Sequence, residues 1–133
     1  MSSPDAHRLL RSAPYFVVPD VKRAREYYET VLGFRCEYAG GDPPVFAIVS
    51  RDGLAIMFRL VTDAAKIVPN ERQGGTWDAF FWVTDAQALF DEFQSSGAQH
   101  VYGPVIRTEY RMKEFAVRDV DGYVLGFGQD WPA

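Results

Sequence analysis

The chain has 133 residues, of which 47% are hydrophobic and 24% charged, and this composition predicts one globular domain and excludes a disordered chain. The net charge of −4 leaves no basic surface for phosphate contacts, so we expect no nucleic-acid partner. The single cysteine, Cys36, cannot form an internal disulfide and favours a reducing cytoplasm. Neither a signal peptide nor an apolar run of the ~20 residues that span a bilayer is present, so we expect no membrane partner.

The first half of the chain predicts a β-α-β-β-β unit. A short strand that begins at Pro14 ends at Pro19, and Asp20 is placed to cap a helix that begins at Val21. Gly33 ends this helix. Its apolar face consists of Val21, Ala24, Tyr28, Val31 and Leu32. Strands follow over residues 34–38, 46–50 and 54–60, and an Asp-Gly turn joins the last two.

The same pattern returns after a linking loop over residues 61–76. A strand over residues 78–83 precedes a helix that Asp85 caps and Gly97 ends. The strands that follow cover residues 99–102, 112–118 and 123–129. This internal repeat predicts an α+β fold of two tandem βαβββ modules, residues 13–60 and 77–129 of a single domain, whose curved mixed sheets surround a cleft with the helices on the outer face.

The alternation of side chains along the strands assigns the two faces of each sheet. The alternation places Phe81 on the side of the sheet that faces the helix. It therefore places Phe80 and Trp82 on the opposite face. The same alternation places on this open face Tyr15, Met57, Arg59, Asp78, Met112 and Glu114. An aromatic face of this kind is seldom left flat in water. We therefore expect it to form a cleft or to be covered by a partner.

Three alternatives stay open for these side chains. The first is that Phe80 and Trp82 fill a dimer interface instead of contacting a ligand. The second is that Asp78 pairs with Arg59, because a buried charge needs a partner. The third is that Lys113 or Arg111 neutralises Glu114 at a solvated edge.

Three segments, in their order and spacing, resemble the glyoxalase, bleomycin-resistance and extradiol-dioxygenase superfamily over residues 12–129. They are Val18-Pro-Asp-Val21 with the Leu32-Gly-Phe34 that follows, Ala79-Phe-Phe-Trp-Val-Thr-Asp85, and Phe115-Ala-Val-Arg-Asp-Val-Asp-Gly-Tyr123. Enzymes of this superfamily bind a divalent metal through four inward strand positions. The matching positions here are Ala13, Met57, Asp78 and Gly126. Because only Asp78 offers an oxygen ligand, we expect no metal, no other cofactor and no enzyme of the usual metal-dependent type.

The resemblance is greatest to the metal-free bleomycin-resistance branch, whose members bind a drug in the clefts of a homodimer. It implies a protein that sequesters an aromatic or cationic compound, with rings that stack on the ligand and carboxylates that pair with its amines. The expected ligand-binding residues are Tyr15, Met57, Arg59, Asp78, Phe80, Trp82, Tyr110, Met112 and Glu114.

Two other functions remain alternatives to sequestration. One is a superfamily lyase, isomerase or dioxygenase with non-standard metal or acid-base residues, for which Asp78, Glu114 and Tyr110 are the candidates. The other is an interaction module whose cleft is filled by its own side chains.

Overall fold

A computed structural model describes residues 4–132 and confirms the two-module α+β fold. The elements of the first module are β1 (Tyr15–Val18), α1 (Val21–Thr30), β2 (Arg35–Gly41), β3 (Pro44–Arg51) and β4 (Leu54–Leu60). Those of the second module are β5 (Ala79–Trp82), α2 (Ala86–Ser96), β6 (Gln99–Arg107), β7 (Met112–Arg118) and β8 (Val124–Asp130). Short 3₁₀ helices lie at Pro4–His7, Ala64–Lys66 and Asn70–Gln73, the last two within the linker.

Each module forms its own four-stranded sheet. The strand order is β1-β4-β3-β2 in the first sheet and β5-β8-β7-β6 in the second. The first strand of each module runs parallel to the last, whereas the other pairs are antiparallel. The two modules therefore repeat one topology. Among the described residues, neither helix has the length and apolar character needed to cross a membrane.

Local sequence signals define the helix starts and the first hairpin. Asp20 accepts a hydrogen bond from the Arg23 amide at 3.0 Å and caps α1. Asp85 caps α2 in the same way through the Ala88 amide. Asp52 and Gly53 both have positive φ, 53° and 80°, as the predicted two-residue hairpin turn requires.

The hydrophobic core confirms the predicted sheet faces. Phe16, Phe58, Phe115 and Phe127 are buried on the helix sides of the two sheets and belong to one continuous core. Phe81 packs against this core and stacks on Phe127 with ring centroids 5.3 Å apart. The open face of each sheet is therefore the one that holds the alternate residues.

The prediction for β6 was too short. We expected this strand to end at residue 102, but it continues to Arg107 with shifts of register on either side of Tyr102. Gly103 has a φ of 86°, which lets the chain bend past Pro104 and pair with β7 again. The bulge between His100 and Tyr102 also breaks the alternation, because Tyr102 pairs with Ala116 on the open face.

The two modules share contacts on their helix sides. The hydroxyl of Tyr28, a buried residue of α1, donates to Asp119 Oδ2 at 2.7 Å in the turn between β7 and β8. Tyr123 donates to the Val17 carbonyl at 2.6 Å and stacks on Phe16 with centroids 4.3 Å apart. These contacts leave both open faces directed away from the shared core.

Candidate functional site

The open face of the second sheet carries a cavity of about 490 Å³, which we name the aromatic pocket. It is lined by Trp77, Phe80, Trp82, Tyr110, Met112 and Asp130. Trp77, Phe80 and Trp82 come from the start of the second module, and Tyr110 comes from the turn before β7. The pocket therefore offers ring surfaces with two oxygen-bearing groups at its rim.

Two glycines of β8 make room for the rings. A Cβ atom on Gly126 would lie 2.6 Å from Phe80 and 2.7 Å from Trp77, and one on Gly128 would lie 2.6 Å from Phe80. The Phe80 ring meets Trp77 and Trp82 edge-to-face, with centroids 4.7 and 5.1 Å apart. Trp82 is 71% exposed, so its ring is open to a ligand or to a partner.

Beneath the pocket lies Glu114, which is completely buried. The hydroxyls of Tyr102 and Tyr110 donate to its Oε2 and Oε1 atoms, and Arg107 Nε lies 3.8 Å from Oε1. Two donors and a guanidinium thus compensate the loss of water around the carboxylate. The alternative in which Lys113 or Arg111 neutralises Glu114 at a solvated edge is wrong, because strand alternation turns Lys113 away to pack on Trp131, 5.0 Å from the ring centroid.

Both phenols keep their protons in this arrangement. Burial raises the pKa of Tyr102, and its hydrogen bond to Glu114 raises the pKa further. Burial and Glu114 also raise the pKa of Tyr110. Trp77 Nε1 donates to the Tyr102 hydroxyl at 2.8 Å, and the Arg107 guanidinium lies over the Tyr102 ring at 5.3 Å. Hydrogen bonds thus connect Trp77, Tyr102, Glu114 and Tyr110 beneath the rings that line the pocket.

The structure divides the expected ligand-binding residues into two groups. Five lie together on the second sheet, in or directly beneath the aromatic pocket, namely Phe80, Trp82, Tyr110, Met112 and Glu114. Tyr15, Met57 and Arg59 share the open face of the first sheet, where Tyr15 pairs with Met57 in register. Within residues 4–132, no hydrogen bond, ion pair or ring contact joins one group to the other.

Asp78 belongs to neither group. Its Oδ1 accepts the Asn70 amide and its Oδ2 the Val124 amide, both at 2.9 Å. The carboxylate therefore links the 3₁₀ helix Asn70–Gln73 of the linker to the start of β8. The alternative that pairs Asp78 with Arg59 is wrong for the described part of the chain, where no ion pair connects them.

The family's metal positions do not fit a divalent ion in this chain. Ala13 and Gly126 have no side-chain ligand atom, Met57 offers only a thioether, and Asp78 uses both oxygens for backbone amides. The rings of Phe80 and Trp77 cover Gly126. Among residues 4–132, no group of three or more His, Cys, Asp or Glu side chains is placed to hold a metal.

Sequence reasoning missed four members of the site. Trp77 precedes the predicted strand by one residue, and Asp130 follows the predicted end of β8 by one residue. Tyr102 and Arg107 were missed because the bulge and the continuation of β6 follow from pairing with β7. The Gly103-Pro104 pair, directly after the predicted end of the strand, is the sequence signal of irregular backbone at this point.

A larger groove of about 590 Å³ lies between the modules on the helix side. Its floor consists of core side chains, including Phe34 and Phe93, and its rim carries the Arg51–Glu92 ion pair at 2.7 Å. Trp82 borders both cavities. Because the groove's charged rim is already paired, the aromatic pocket, with its convergent rings and oxygens, is the better candidate site.

Two βαβββ modules, each with its helix on one side and an open sheet face on the other, define a paired-module domain of known architecture. The chain belongs to the Glyoxalase/Bleomycin resistance protein/Dioxygenase superfamily, whose family model matches residues 9–127. The resemblance drawn from the sequence segments is thereby confirmed. No curated protein sequence matches the chain significantly.

Solved structures show the same fold. TioX from Micromonospora sp. ML1 aligns with a TM-score of 0.73 and 21% identity over 91% of this chain and 98% of its own. A bleomycin resistance determinant encoded on transposon Tn5 gives 0.71 and 17% over 92% and 99%. A bleomycin-binding protein from bleomycin-producing Streptomyces verticillus, complexed with copper(II)-bleomycin, gives 0.65 and 21% over 91% and 96%. At these identities the comparisons establish the fold.

Proposed function

We propose that this protein binds a planar aromatic or cationic small molecule in the aromatic pocket and sequesters it without chemical conversion. The observation that carries the proposal is the pocket itself, where Phe80, Trp77 and Trp82 present ring surfaces above the buried Glu114. Two of the solved structures with this fold are of a bleomycin resistance determinant and a bleomycin-binding protein, which supports a small-molecule ligand.

The size and lining of the pocket suit such a ligand. A volume of about 490 Å³ falls in the range of about 300–1,000 Å³ that is typical of drug-sized ligands. A ring that stacks on one exposed indole gains about 0.5–1.5 kcal/mol beyond the area it buries. Metal coordination has no role in this proposal, and the single cysteine supports a cytoplasmic location.

We also propose that the working unit is a homodimer in which each cleft is shared by two copies. The open faces expose Tyr15 by 53%, Tyr110 by 49% and Trp82 by 71% in the single chain. The first-sheet group, Tyr15, Met57 and Arg59, does not line the aromatic pocket of its own chain. A twofold partner would supply it from the other side and cover both aromatic faces.

The binding experiment measures thermal stabilisation and tryptophan fluorescence with bleomycin and with planar acridine dyes. A ligand at 100 times its Kd adds about 2.7 kcal/mol to the stability of the folded protein. Phe80→Ala removes a ring that borders only the aromatic pocket, whereas Leu89→Ala removes a side chain that borders only the larger groove. We expect binding to be lost in the first variant and kept in the second, and the reverse result would place the ligand in the groove.

A mixing experiment tests the shared cleft. Sedimentation should give about twice the 15.0 kDa mass of one chain. Tyr15→Ala and Phe80→Ala each damage one wall of the expected cleft. If the two walls come from different copies, a heterodimer of these variants has one doubly damaged cleft and one intact cleft, and mixing restores binding. If each site lies within one chain, mixing restores nothing.

The enzyme alternative is tested on the same samples. Its acid-base candidates already have hydrogen-bond partners, because Asp78 accepts two backbone amides and Glu114 accepts the Tyr110 hydroxyl. We expect mass spectrometry to recover the bound compound unchanged after prolonged incubation. A product that forms only with the folded protein, and is lost in Tyr110→Phe, would replace sequestration by catalysis.

A further inference from the structure

The oxygen-bearing side chains that line the aromatic pocket offer hydrogen-bond acceptors. Only two lining side chains carry oxygen, namely Tyr110 and Asp130. An ionised carboxylate such as Asp130 can only accept hydrogen bonds. The Trp77 indole N–H is already given to Tyr102 at 2.8 Å, which leaves the N–H of the exposed Trp82 as the one remaining side-chain donor of the lining.

Glu114 determines the direction of the Tyr110 hydrogen bond. A phenol can donate one proton and accept through its lone pairs. The Tyr110 proton is committed to Glu114 Oε1, and the Tyr102 proton to Oε2. The part of the Tyr110 oxygen that remains available therefore presents lone pairs, which bind a donor and repel a carbonyl or another acceptor.

The charges around the pocket favour a cation. Glu114 is completely buried and Asp130 borders the cavity. Arg107 opposes them, but its Nε lies 3.8 Å from Glu114 Oε1, beyond hydrogen-bond distance, and its side chain is 43% exposed. The guanidinium also lowers the pKa of Tyr110, through its charge and through a side-chain hydrogen bond to this phenol, against the larger effect of burial. Arg107, whose guanidinium also lies over the Tyr102 ring, is thus the chain's own cation beside the Tyr110 oxygen that a ligand's cation would use.

We propose that the aromatic pocket selects an aromatic ligand that carries a positively charged hydrogen-bond donor, such as a protonated amine, and that this donor binds the Tyr110 hydroxyl oxygen. Glu114 acts as a positioning residue because it holds the phenol proton, and Arg107 competes with the ligand's cation. This inference rests on the proposed function and names the ligand class of the same pocket.

Three planar dyes of similar size separate charge from hydrogen bonding. Proflavine is a cation with N–H donors, N-methylacridinium is a cation without them, and acridine is neutral at a pH of about 7.5. We expect proflavine to bind about tenfold more tightly than N-methylacridinium, as one charge-assisted hydrogen bond implies. N-methylacridinium should in turn bind more tightly than acridine, by a factor that falls as salt is added.

Two variants test the assigned roles. Tyr110→Phe removes the acceptor at the exposed rim and should bring proflavine and N-methylacridinium to within about twofold of each other. Arg107→Gln should strengthen both cations about two- to fivefold and leave acridine unchanged, because the partly exposed guanidinium is screened by solvent. Tyr27→Phe is the control. The Tyr27 hydroxyl belongs to α1 and lies 3.5 Å from the Arg118 carbonyl, so this variant should change no dye affinity.

The outcomes separate the inference from the proposed function. Equal binding of the three dyes, tighter binding of acridine, or weaker cation binding in Arg107→Gln would overturn the inference while leaving an aromatic binding protein. If no dye and no bleomycin binds the wild-type protein, the proposed function fails and the inference fails with it. Circular dichroism of each variant shows whether a lost affinity reflects a lost fold, and the exposed Tyr110 and Arg107 keep the test independent of the buried Glu114.

Discussion

Replacement of Tyr28 by Phe should destabilise the protein by an amount that depends on pH. The Tyr28 hydroxyl donates to Asp119 Oδ2 at 2.7 Å, while Oδ1 accepts the amides of Asp121 and Tyr123 at 2.9 Å. Burial raises the pKa of Asp119 from its ordinary 3.8 to about 6 despite these hydrogen bonds. The carboxyl is therefore ionised at neutral pH and protonated in mild acid.

The sign of the pH dependence follows from this raised pKa. The stability that protonation of Asp119 contributes is fully present below about pH 3.8 and is lost as the pH rises through about 6. The difference corresponds to about 3 kcal/mol. Tyr28→Phe removes a donor to the charged form at high pH and a donor to the neutral form at low pH. We expect a loss of about 1.5–3 kcal/mol at a pH of about 7.5 and about 0.5–1.5 kcal/mol at a pH of about 4.5.

Urea unfolding of both proteins at the two pH values measures this difference, with equal m-values as the condition for comparison. The neighbouring Tyr27→Phe is a matched control, because its hydroxyl contacts backbone groups, with a long 3.5 Å hydrogen bond to the Arg118 carbonyl and an interaction at Gln99, and no carboxylate. It should cost less than about 0.5 kcal/mol at either pH. A Tyr28→Phe loss that is the same at both pH values, or larger in acid, would show that ionised Asp119 does not depend on this phenol.

Three further predictions concern the second sheet and the start of the chain. Phe81→Ala should lower the free energy of unfolding by about 2–4 kcal/mol, since the ring packs on the core without being fully buried. Trp82→Ala should instead weaken aromatic dye binding by about 1–3 kcal/mol with little change in the free energy of unfolding. If the two results are reversed, the assignment of β5 side chains to the two sheet faces is wrong by one residue. Gly126→Ala should displace the pocket rings and abolish dye binding while costing about 1–3 kcal/mol of stability by overpacking, and retained affinity in titration calorimetry would contradict the ring positions. The Arg11 guanidinium lowers the pKa of Glu37 to about 2, so the stability of this pair is present above the ordinary value of 4.5 and is lost as the pH falls towards 2; an NMR titration that finds Glu37 near 4.5 would disprove the contact.

The sequence predicted the elements that depend on short-range interactions. Asp20 and Asp85 bond to amides three residues ahead, and Asp52-Gly53 forms its turn from its own backbone preferences. The repeat and the alternation along β5 identified the module and its open face. Each of these features is determined within a few residues, so the chain order alone is sufficient to place them.

The sequence also placed Glu114 and Met112 near Phe80, because strand alternation extends across a regular sheet. Strand alternation did not predict that Tyr102 lies on the open face. Its side chain reaches the open face only because β6 slips against β7 at a bulge, and a slip is settled by the pairing energy of two strands and not by either strand alone.

Charge partners were decided by the tertiary structure. The sequence left Asp78 with Arg59 as a possible partner and Glu114 with Lys113 or Arg111, whereas the fold gives Asp78 two backbone amides and Glu114 two phenols. A buried carboxylate takes the donors that reach it when water is removed, and these come from segments distant in the chain. The sequence by itself determined the modules, the caps and the open aromatic face, while the long-range packing of β6, β7 and the linker decided which groups surround the buried charge.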